Sequence, residues 1–512
     1  MVKFHYINML GETDMSATEI LLIILGVILA LIVITAIKAY FFRPKKSELE
    51  KPPLEPEKAD VERAAKNLSK ALTFKTIART NPEETEWEEF RKFREFLEES
   101  YPLIHKNLSR EIITGASLIY RWEGKNSNLK PMALLSHQDV VPVTPGTEDD
   151  WKYPAFSGHN DGEFIWGRGA LDMKNHLICV MEAIETLLEE GYQPDRDVYL
   201  CFAHDEEVND NGLSGAVDIV NTLKERGVHL DSVLDEGGAF LTVKIKGIID
   251  QSIAGIGMAE KGYSDYRITV HAKGGHSSQP PVHSALGDLA DVIHDLEKHQ
   301  FKARLMPFMI DLFTSVGKRV CYPARLITCN IPLLRPIILA VCKKIPPAAC
   351  LTRTTTAVTM AKGSPASNVL PQSASCTVNF RQMPGTSVKD VEKHIRKVVR
   401  NKNIDIELLG CKEVSQFATK DSQAYRALDE ICSRTDPKKN FVVPFLVMGS
   451  TDAYHYGPIC DNVLRFSPFR VSAELLTRTH ATNECCPVNT LEEAVTFFKR
   501  YVKLASKEKE DR

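Results

Sequence analysis

Three short runs, Met132-Ala-Leu-Leu135, Val198-Tyr-Leu-Cys-Phe-Ala203 and Ser232-Val-Leu234, are apolar almost throughout. That is the pattern of strands buried on both faces. Between the first two, Leu177, Val180, Met181, Ile184, Leu187 and Leu188 recur at helical spacing and stop at Gly191. The strand, helix, strand order predicts an α/β unit around a mostly parallel sheet. From about Gly262 the rhythm changes. Tyr266 to His271 alternates, Ser284 to Lys298 is helical, Thr354 to Met360 and Ala374 to Phe380 read as strands, and Val388 to Arg400 is a helix. This is a small α+β unit inserted into the first, after which a final helix over Leu491 to Leu504 packs back on the sheet.

The boundaries that follow are a tail over 1–19, an apolar helix over 20–42, a linker over 43–59 rich in proline and charge, a first catalytic part over 60–261, an inserted lid over 262–415, a second catalytic part over 416–505, and a tail over 506–512. The uncharged run from Ile20 to Ile37 extends to Phe42 if Lys38 snorkels, which reaches the ~20 residues that span a bilayer. No small-residue cleavage site stands out, so an uncleaved anchor is favoured over a signal peptide. Arg43, Lys45 and Lys46 after the span would by themselves keep the following domain in the cytosol. The sequons at Asn67 and Asn107 point the other way.

Bulk composition narrows the choices further. A net charge of -3 gives no reason to expect a nucleic-acid partner. The 12 cysteines include no C-x-x-C pair, which argues against a structural zinc module. Cys321, Cys329, Cys342 and Cys350 lie close enough in sequence for local disulfides or for free buried thiols.

The chemistry collects at the ends of the apolar runs: Ser136-His-Gln-Asp139, Gly167-Arg-Gly-Ala-Leu-Asp172, His204-Asp-Glu-Glu207, Asp235-Glu-Gly-Gly238 and Arg478-Thr-His480. In open α/β sheets the ligand crevice lies beyond the carboxyl ends of the strands. Histidines and carboxylates without cysteine suit a pair of zinc-like divalent ions. His137 and Asp139, two apart, share a side, so Asp139 can fix the imidazole's second nitrogen. Asp172, after two glycines, can bridge two cations or merely cap the next helix. Of the adjacent acids Glu206 and Glu207, one can hold a metal while the other takes a proton from water. Asp235 supplies a further carboxylate, with Glu236 pointing away. Each segment alone also reads as a solvated turn.

Together these residues resemble the di-zinc metallopeptidase family that includes aminoacylases, bacterial glutamate carboxypeptidase, and vacuolar and extracellular relatives. The likeness runs over about residues 60 to 505. It implies a mostly parallel di-zinc exopeptidase-like catalytic domain with an inserted α+β lid or dimerisation domain, two Zn2+ per subunit, and a homodimer. It assigns His137, Asp172 and Asp235 to one zinc, and Asp172, Glu207 and His480 to the other. Glu206 is then the general base, Asp139 supports His137, and a cis peptide is expected at Asp172-Met173. Gly274-Gly-His-Ser-Ser278 matches the lid segment whose His276 stabilises the oxyanion, often across the dimer. Asn368 and Arg381 match positions that recognise the substrate carboxylate. Tyr454 stands where relatives often carry Arg.

Within the family, Val233-Leu-Asp-Glu-Gly-Gly238, Arg353-Thr-Thr-Thr356 and Thr377-Val-Asn-Phe-Arg381 are most like enzymes acting on N-fatty-acyl amino acids. That likeness implies a small-molecule N-acyl amino acid substrate, and a membrane-anchored, lumenal or extracellular enzyme, or a secreted one if the N-terminal segment is cleaved. The apolar stretch from Leu305 to Leu339 is either the wall for the acyl chain or lid core. Alternatives are a membrane-anchored carboxypeptidase cutting short peptides and an inactive binding homologue. The absence of a G-x-S-x-G elbow argues against a serine hydrolase.

Overall fold

The computed structural model describes residues 16–208 and 215–508. Its central sheet runs, from one edge, through Ser109–Ile113, Ser117–Trp122, Val198–Ala203, Met132–His137, Leu230–Asp235, Cys460–Arg465, Ile249–Glu260 and Asn440–Val447. Ala239–Ile245 pairs with Ile249–Glu260 beside this path. The middle strands are parallel. Antiparallel pairs fill one edge and the crossing of Cys460–Arg465 with Ile249–Glu260. The three apolar runs are therefore neighbours, and His137, Ala203 and Asp235 end them on the same side.

Helices cover both faces of the sheet. Lys174–Glu189 and Leu491–Ala505 pack on one side, as the 3.6-residue spacing predicts, sharing a core that includes Leu177, Val180, Ile184, Phe498 and Val502. Gly215–Glu225 covers the other face with Ile219 and Leu223. The second sheet is antiparallel, in the order Thr355–Lys362, Ser373–Gln382, Gly262–His271, Ile404–Lys412. Ala285–Lys298 and Val388–Val398 pack against it through Leu289, Val292, Val391 and Ile395. Between the first helix and the Thr355 strand lie four helices, Pro307–Gly317, Tyr322–Thr328, Ile331–Cys342 and Pro346–Thr352.

The structure corrects the sequence reading in one place and bears on two alternatives it had left open. The 43–59 segment is no free stalk, because side chains of the body capture its backbone. Arg434 donates to the carbonyls of Pro52 and Pro53 at 2.9 and 2.8 Å, Lys499 to that of Lys58 at 2.8 Å, and Lys503 bonds Glu57 at 2.8 Å. All 12 cysteines are free, including Cys321, Cys329, Cys342 and Cys350. The Leu305 to Leu339 stretch is split by burial. Leu305, Phe308, Met309 and Ile331 join a core with Leu446, whereas Leu333 and Ile337 face outward.

One buried ion pair ties the two sheets' junction to the site. Glu260, the last residue of its strand, accepts the Arg465 guanidinium at 2.5 Å and the Thr451 hydroxyl and N–H at 2.8 and 3.2 Å. Removing one partner of such a pair leaves an uncompensated buried charge, which costs about 3–5 kcal/mol. Arg465→Met is therefore expected to lower unfolding stability in denaturant titrations by about that amount. An unchanged midpoint would show that the pair does not hold this junction.

Candidate active site

The strand ends bring together side chains far apart in sequence. His137 Nε2 lies 3.1 Å from Asp172 Oδ1, and His480 Nε2 lies 3.0 Å from Asp172 Oδ2. Each carboxylate oxygen of Asp172 thus faces a different histidine. Glu207 Oε1 is 2.9 Å from the same His480 nitrogen. Donor atoms of His137, Asp172 and Glu207 all lie within 4.8 Å of one another, as do those of His137, Glu206 and Glu236. The Asp172-Met173 peptide is cis, as the resemblance implied.

Asp139 has more partners than its spacing suggested. His137 Nδ1 is 3.0 Å from its backbone oxygen and 3.3 Å from its carboxylate, which fixes the imidazole from behind. The carboxylate also accepts the N–H groups of Glu206 at 3.2 Å and Glu207 at 3.0 Å. One buried acid therefore orients the histidine and the paired glutamates together.

Asp235 and Glu236 exchange the positions expected of them. The Asp235 carboxylate accepts the Ala453 N–H at 2.8 Å and belongs to neither donor group. Glu236 Oε1 instead lies 3.6 Å from His137 Nε2. The reason is local: the strand ends at Asp235 and Gly237 turns the chain at φ 98°, so strict alternation no longer decides which side chain faces the crevice. Asp452 is also part of this environment. One of its carboxylate oxygens is buried without a hydrogen bond, and its charge acts on Asp235 and His137.

The electrostatics are those of acids crowded without enough positive charge. Burial, then the charges of Glu236, Asp452 and Glu207, pushes Glu206 well above the ordinary carboxylate range. Burial and the neighbouring Asp172 push Glu236 up to about 8, and burial also raises Glu207 and Asp235. Against its own burial, Asp172 is held low by hydrogen bonds from His137 and His480. Divalent cations would relieve this crowding, and all-N/O donors of this kind suit zinc. The residues present fit such a centre.

A second buried acid holds the loops that carry Asp172 and His480. Glu484 pairs with Arg168 at 2.6 Å and accepts the N–H groups of Leu171 at 2.8 Å, Asp172 at 3.2 Å and Gly169 at 3.2 Å. Arg168 in turn donates to the His480 carbonyl at 3.1 Å. Sequence reasoning missed Glu484; an acid four residues past His480 carries no local signature.

The predicted substrate residues form two separate groups, His276 and Asn368 at a two-stranded pairing of its own and Arg381 on the second sheet. His276 sits in a two-residue strand opposite Val369, next to Asn368, and the Ser277 N–H donates to the Asn368 carbonyl at 3.1 Å. Its Nδ1 accepts the Ser278 N–H at 3.2 Å, which leaves the ring proton on Nε2. Both His276 and Asn368 are exposed. Arg381 lies over the Tyr263 ring at 4.8 Å and near Lys261, whose ammonium donates to the Cys350 and Arg353 carbonyls. Arg353 adds a buried guanidinium nitrogen without a partner. Among the described residues no hydrogen bond or ion pair joins His276, Asn368 or Arg381 to the histidine and carboxylate cluster.

The family model described as "Peptidase family M20/M25/M40" matches residues 133–504. "Probable carboxypeptidase S-like 2" of Dictyostelium discoideum is 34% identical over 452 residues, which is 88% of this chain and 86% of that protein. "N-fatty-acyl-amino acid synthase/hydrolase PM20D1" of Xenopus tropicalis is 32% identical over 84% of this chain and 83% of its own. The crystal structure of an M20 family metallo-carboxypeptidase, Sso-CP2 from Sulfolobus solfataricus, superposes with a TM-score of 0.60 at 19% identity, covering 86% of this chain and 99% of that one. This chain belongs to peptidase family M20/M25/M40, a hydrolase family, and shares its fold.

Proposed function

We propose that the chain is a di-zinc amidohydrolase that cleaves, and in reverse forms, the amide bond of N-acyl amino acids, long-chain ones above all. The observation that carries this reading is Asp172, whose two oxygens face His137 and His480. The ligand set is His137, Asp172 and Glu236 for one ion, with Glu236 replacing Asp235, and Asp172, Glu207 and His480 for the other. Zinc bound there supplies Lewis acidity toward the amide carbonyl and makes water acidic enough to attack near neutral pH. Glu206, whose carboxylate makes no hydrogen bond among the described residues, takes the water's proton as oxygen adds to the carbonyl carbon. The same proton passes to the leaving amine nitrogen as the C–N bond breaks.

His276 donates through Nε2 to the developing oxyanion, and Arg381 with Asn368 holds the amino acid's carboxylate. The separation of these groups from the cluster within one chain supports a homodimer in which His276 serves the partner's site. The acyl chain takes the open cleft of about 590 Å³ lined by Met258, Met306, Phe308, Phe417 and Pro444. A second reading, a carboxypeptidase for short peptides, is supported by the carboxypeptidase S-like relative.

The helix Ala17–Phe41 is read as a membrane span with the enzyme on the lumenal or extracellular side. At about 1.5 Å per residue its 25 residues exceed the ~30 Å hydrocarbon core. Of the two sequons only one is usable in the folded chain. The Asn67 side chain is buried and donates to Glu182 at 2.9 Å, whereas Asn107 is exposed.

Glu206→Gln is expected to keep both metals and to lose about 10²–10⁴-fold in kcat. His276→Ala should be inactive too, and mixing the two variants should restore activity in mixed dimers. Loss of bound zinc from Glu206→Gln would make Glu206 a ligand. Failure to complement despite subunit exchange would confine His276 to its own subunit.

Replacing Met306 and Phe417 by Gln should raise KM at least about tenfold for N-acyl amino acids with long chains, since each buried CH₂ contributes about 0.8 kcal/mol, and leave N-acetyl substrates nearly unchanged. A wild-type enzyme that cleaves dipeptides and ignores N-acyl amino acids selects the carboxypeptidase reading instead. In cells with a secretory pathway, endoglycosidase treatment should remove one glycan, lost in Asn107→Gln and kept in Asn67→Gln. An unglycosylated wild-type chain would favour the cytosolic orientation.

A further inference from the structure

The helix Ile331–Cys342 presents an outward stripe of Leu333, Ile337 and Val341, continued by Ile345 past its end, with exposures of 59, 61, 53 and 49%. The four-residue spacing puts them on one face. Its opposite face is accounted for, since Ile331, Ile338 and Leu339 pack with Phe308 and Met309 in the lid core. An apolar stripe this long on a helix that also has a filled inner face calls for a covering of its own.

Three observations identify the covering. First, the stripe's helix follows, after two residues, a short helix that meets the base of the N-terminal helix. The neighbouring helix Tyr322–Thr328 packs on Ala17–Phe41, with the Tyr322 hydroxyl donating to the Ala36 carbonyl at 3.1 Å and Ala39 fully buried. Second, Tyr322–Thr328 and Ile331–Cys342 are together long and apolar enough to span a membrane but are bent 99° apart, a shape that suits lying in an interface rather than crossing it. Third, the charge has one sign. From Leu312 to Ile345 the chain carries Lys318, Arg319, Arg325, Arg335, Lys343 and Lys344 and no acidic residue, although the whole protein has a net charge of -3. Lys318 is engaged by Glu48 at 3.8 Å, while Lys343 and Lys344 are exposed at the stripe's C-terminal end and Arg335 is exposed elsewhere on the helix. Apolar residues with cations at their border suit a helix lying at the headgroup boundary of a bilayer.

We infer that the 322–345 hairpin is a second, non-spanning membrane contact, which lays the lid on the bilayer surface beside the foot of the N-terminal helix. The inference rests on reading Ala17–Phe41 as a membrane span. It gives the proposed substrate class a route, because the core on the hairpin's inner side includes Phe308, which also lines the acyl cleft. A long-chain amide would enter the cleft from the membrane without crossing water.

The test uses the full chain in vesicles of phosphatidylcholine and phosphatidylserine containing a phosphatidylcholine with a diazirine on its acyl chain. After illumination, lipid adducts are mapped by peptide mass spectrometry. Adducts are expected on both 17–41 and 331–345. They should fall roughly tenfold on 331–345 alone in Leu333→Glu/Ile337→Glu, whose exposed positions leave the melting temperature unchanged. The same variant should lose activity toward long-chain N-acyl amino acids supplied in vesicles and keep it toward soluble N-acetyl ones. Adducts confined to 17–41 overturn the inference and leave the span reading standing. Adducts on 331–345 without any on 17–41 sink the span reading and, with it, the inference as stated. If lipid adducts are absent from 331–345 and lysine-reactive reagents instead join Lys343 or Lys344 to a second copy, the face is a subunit contact and the inference is wrong.

Discussion

The site depends on one buried carboxylate that is not itself a ligand. Glu484 neutralises Arg168 and gathers three backbone N–H groups from the loop that delivers Asp172, while Arg168 reaches the carbonyl of His480. Both partners are almost fully buried, so their charges are strong and neither can be left alone. Charge-assisted hydrogen bonds to fixed backbone groups make the arrangement directional. The consequence is that Asp172 and His480, separated by most of the chain, share one rigid frame.

Asp139 does the same on the opposite side of the cluster. It fixes His137 and, through two backbone N–H groups, the start of the Glu206-Glu207 turn. The pair of glutamates therefore faces the crevice with its backbone held and only its side chains free to diverge. Glu207 turns to His480, while Glu206 remains among acids that raise its proton affinity. Such separation of two adjacent carboxyl groups by environment is how one turn can supply both a ligand and a base.

How much of this was legible follows from what carries each signal. The parallel strands were readable because strands buried on both faces must be apolar at nearly every position, and the helix Lys174–Glu189 because its core-facing positions repeat. The site residues at those strand ends came with the strands. Glu236 was misread because alternation was extended one residue past the strand, into a turn set by Gly237. Glu484 and Arg168 were invisible because their partners are backbone atoms and each other, contacts that exist only after the chain has folded. The docked 43–59 segment was misread for a related reason: proline and charge describe how a segment behaves alone, not which distant Arg and Lys will take its carbonyls.

Docking of that segment has a structural consequence for the whole molecule. With Pro52, Pro53, Glu57 and Lys58 held against the body, and Ala36 and Ala39 held by the lid hairpin, the N-terminal helix is gripped on both sides of its exit. A flexible tether would let the catalytic unit tumble at the end of its reach. A gripped one fixes the helix relative to the body, whose 331–345 segment carries exposed apolar residues and no acidic residue. The same geometry limits the lid, since a hairpin tied to the helix foot cannot swing far without breaking the Tyr322 to Ala36 contact.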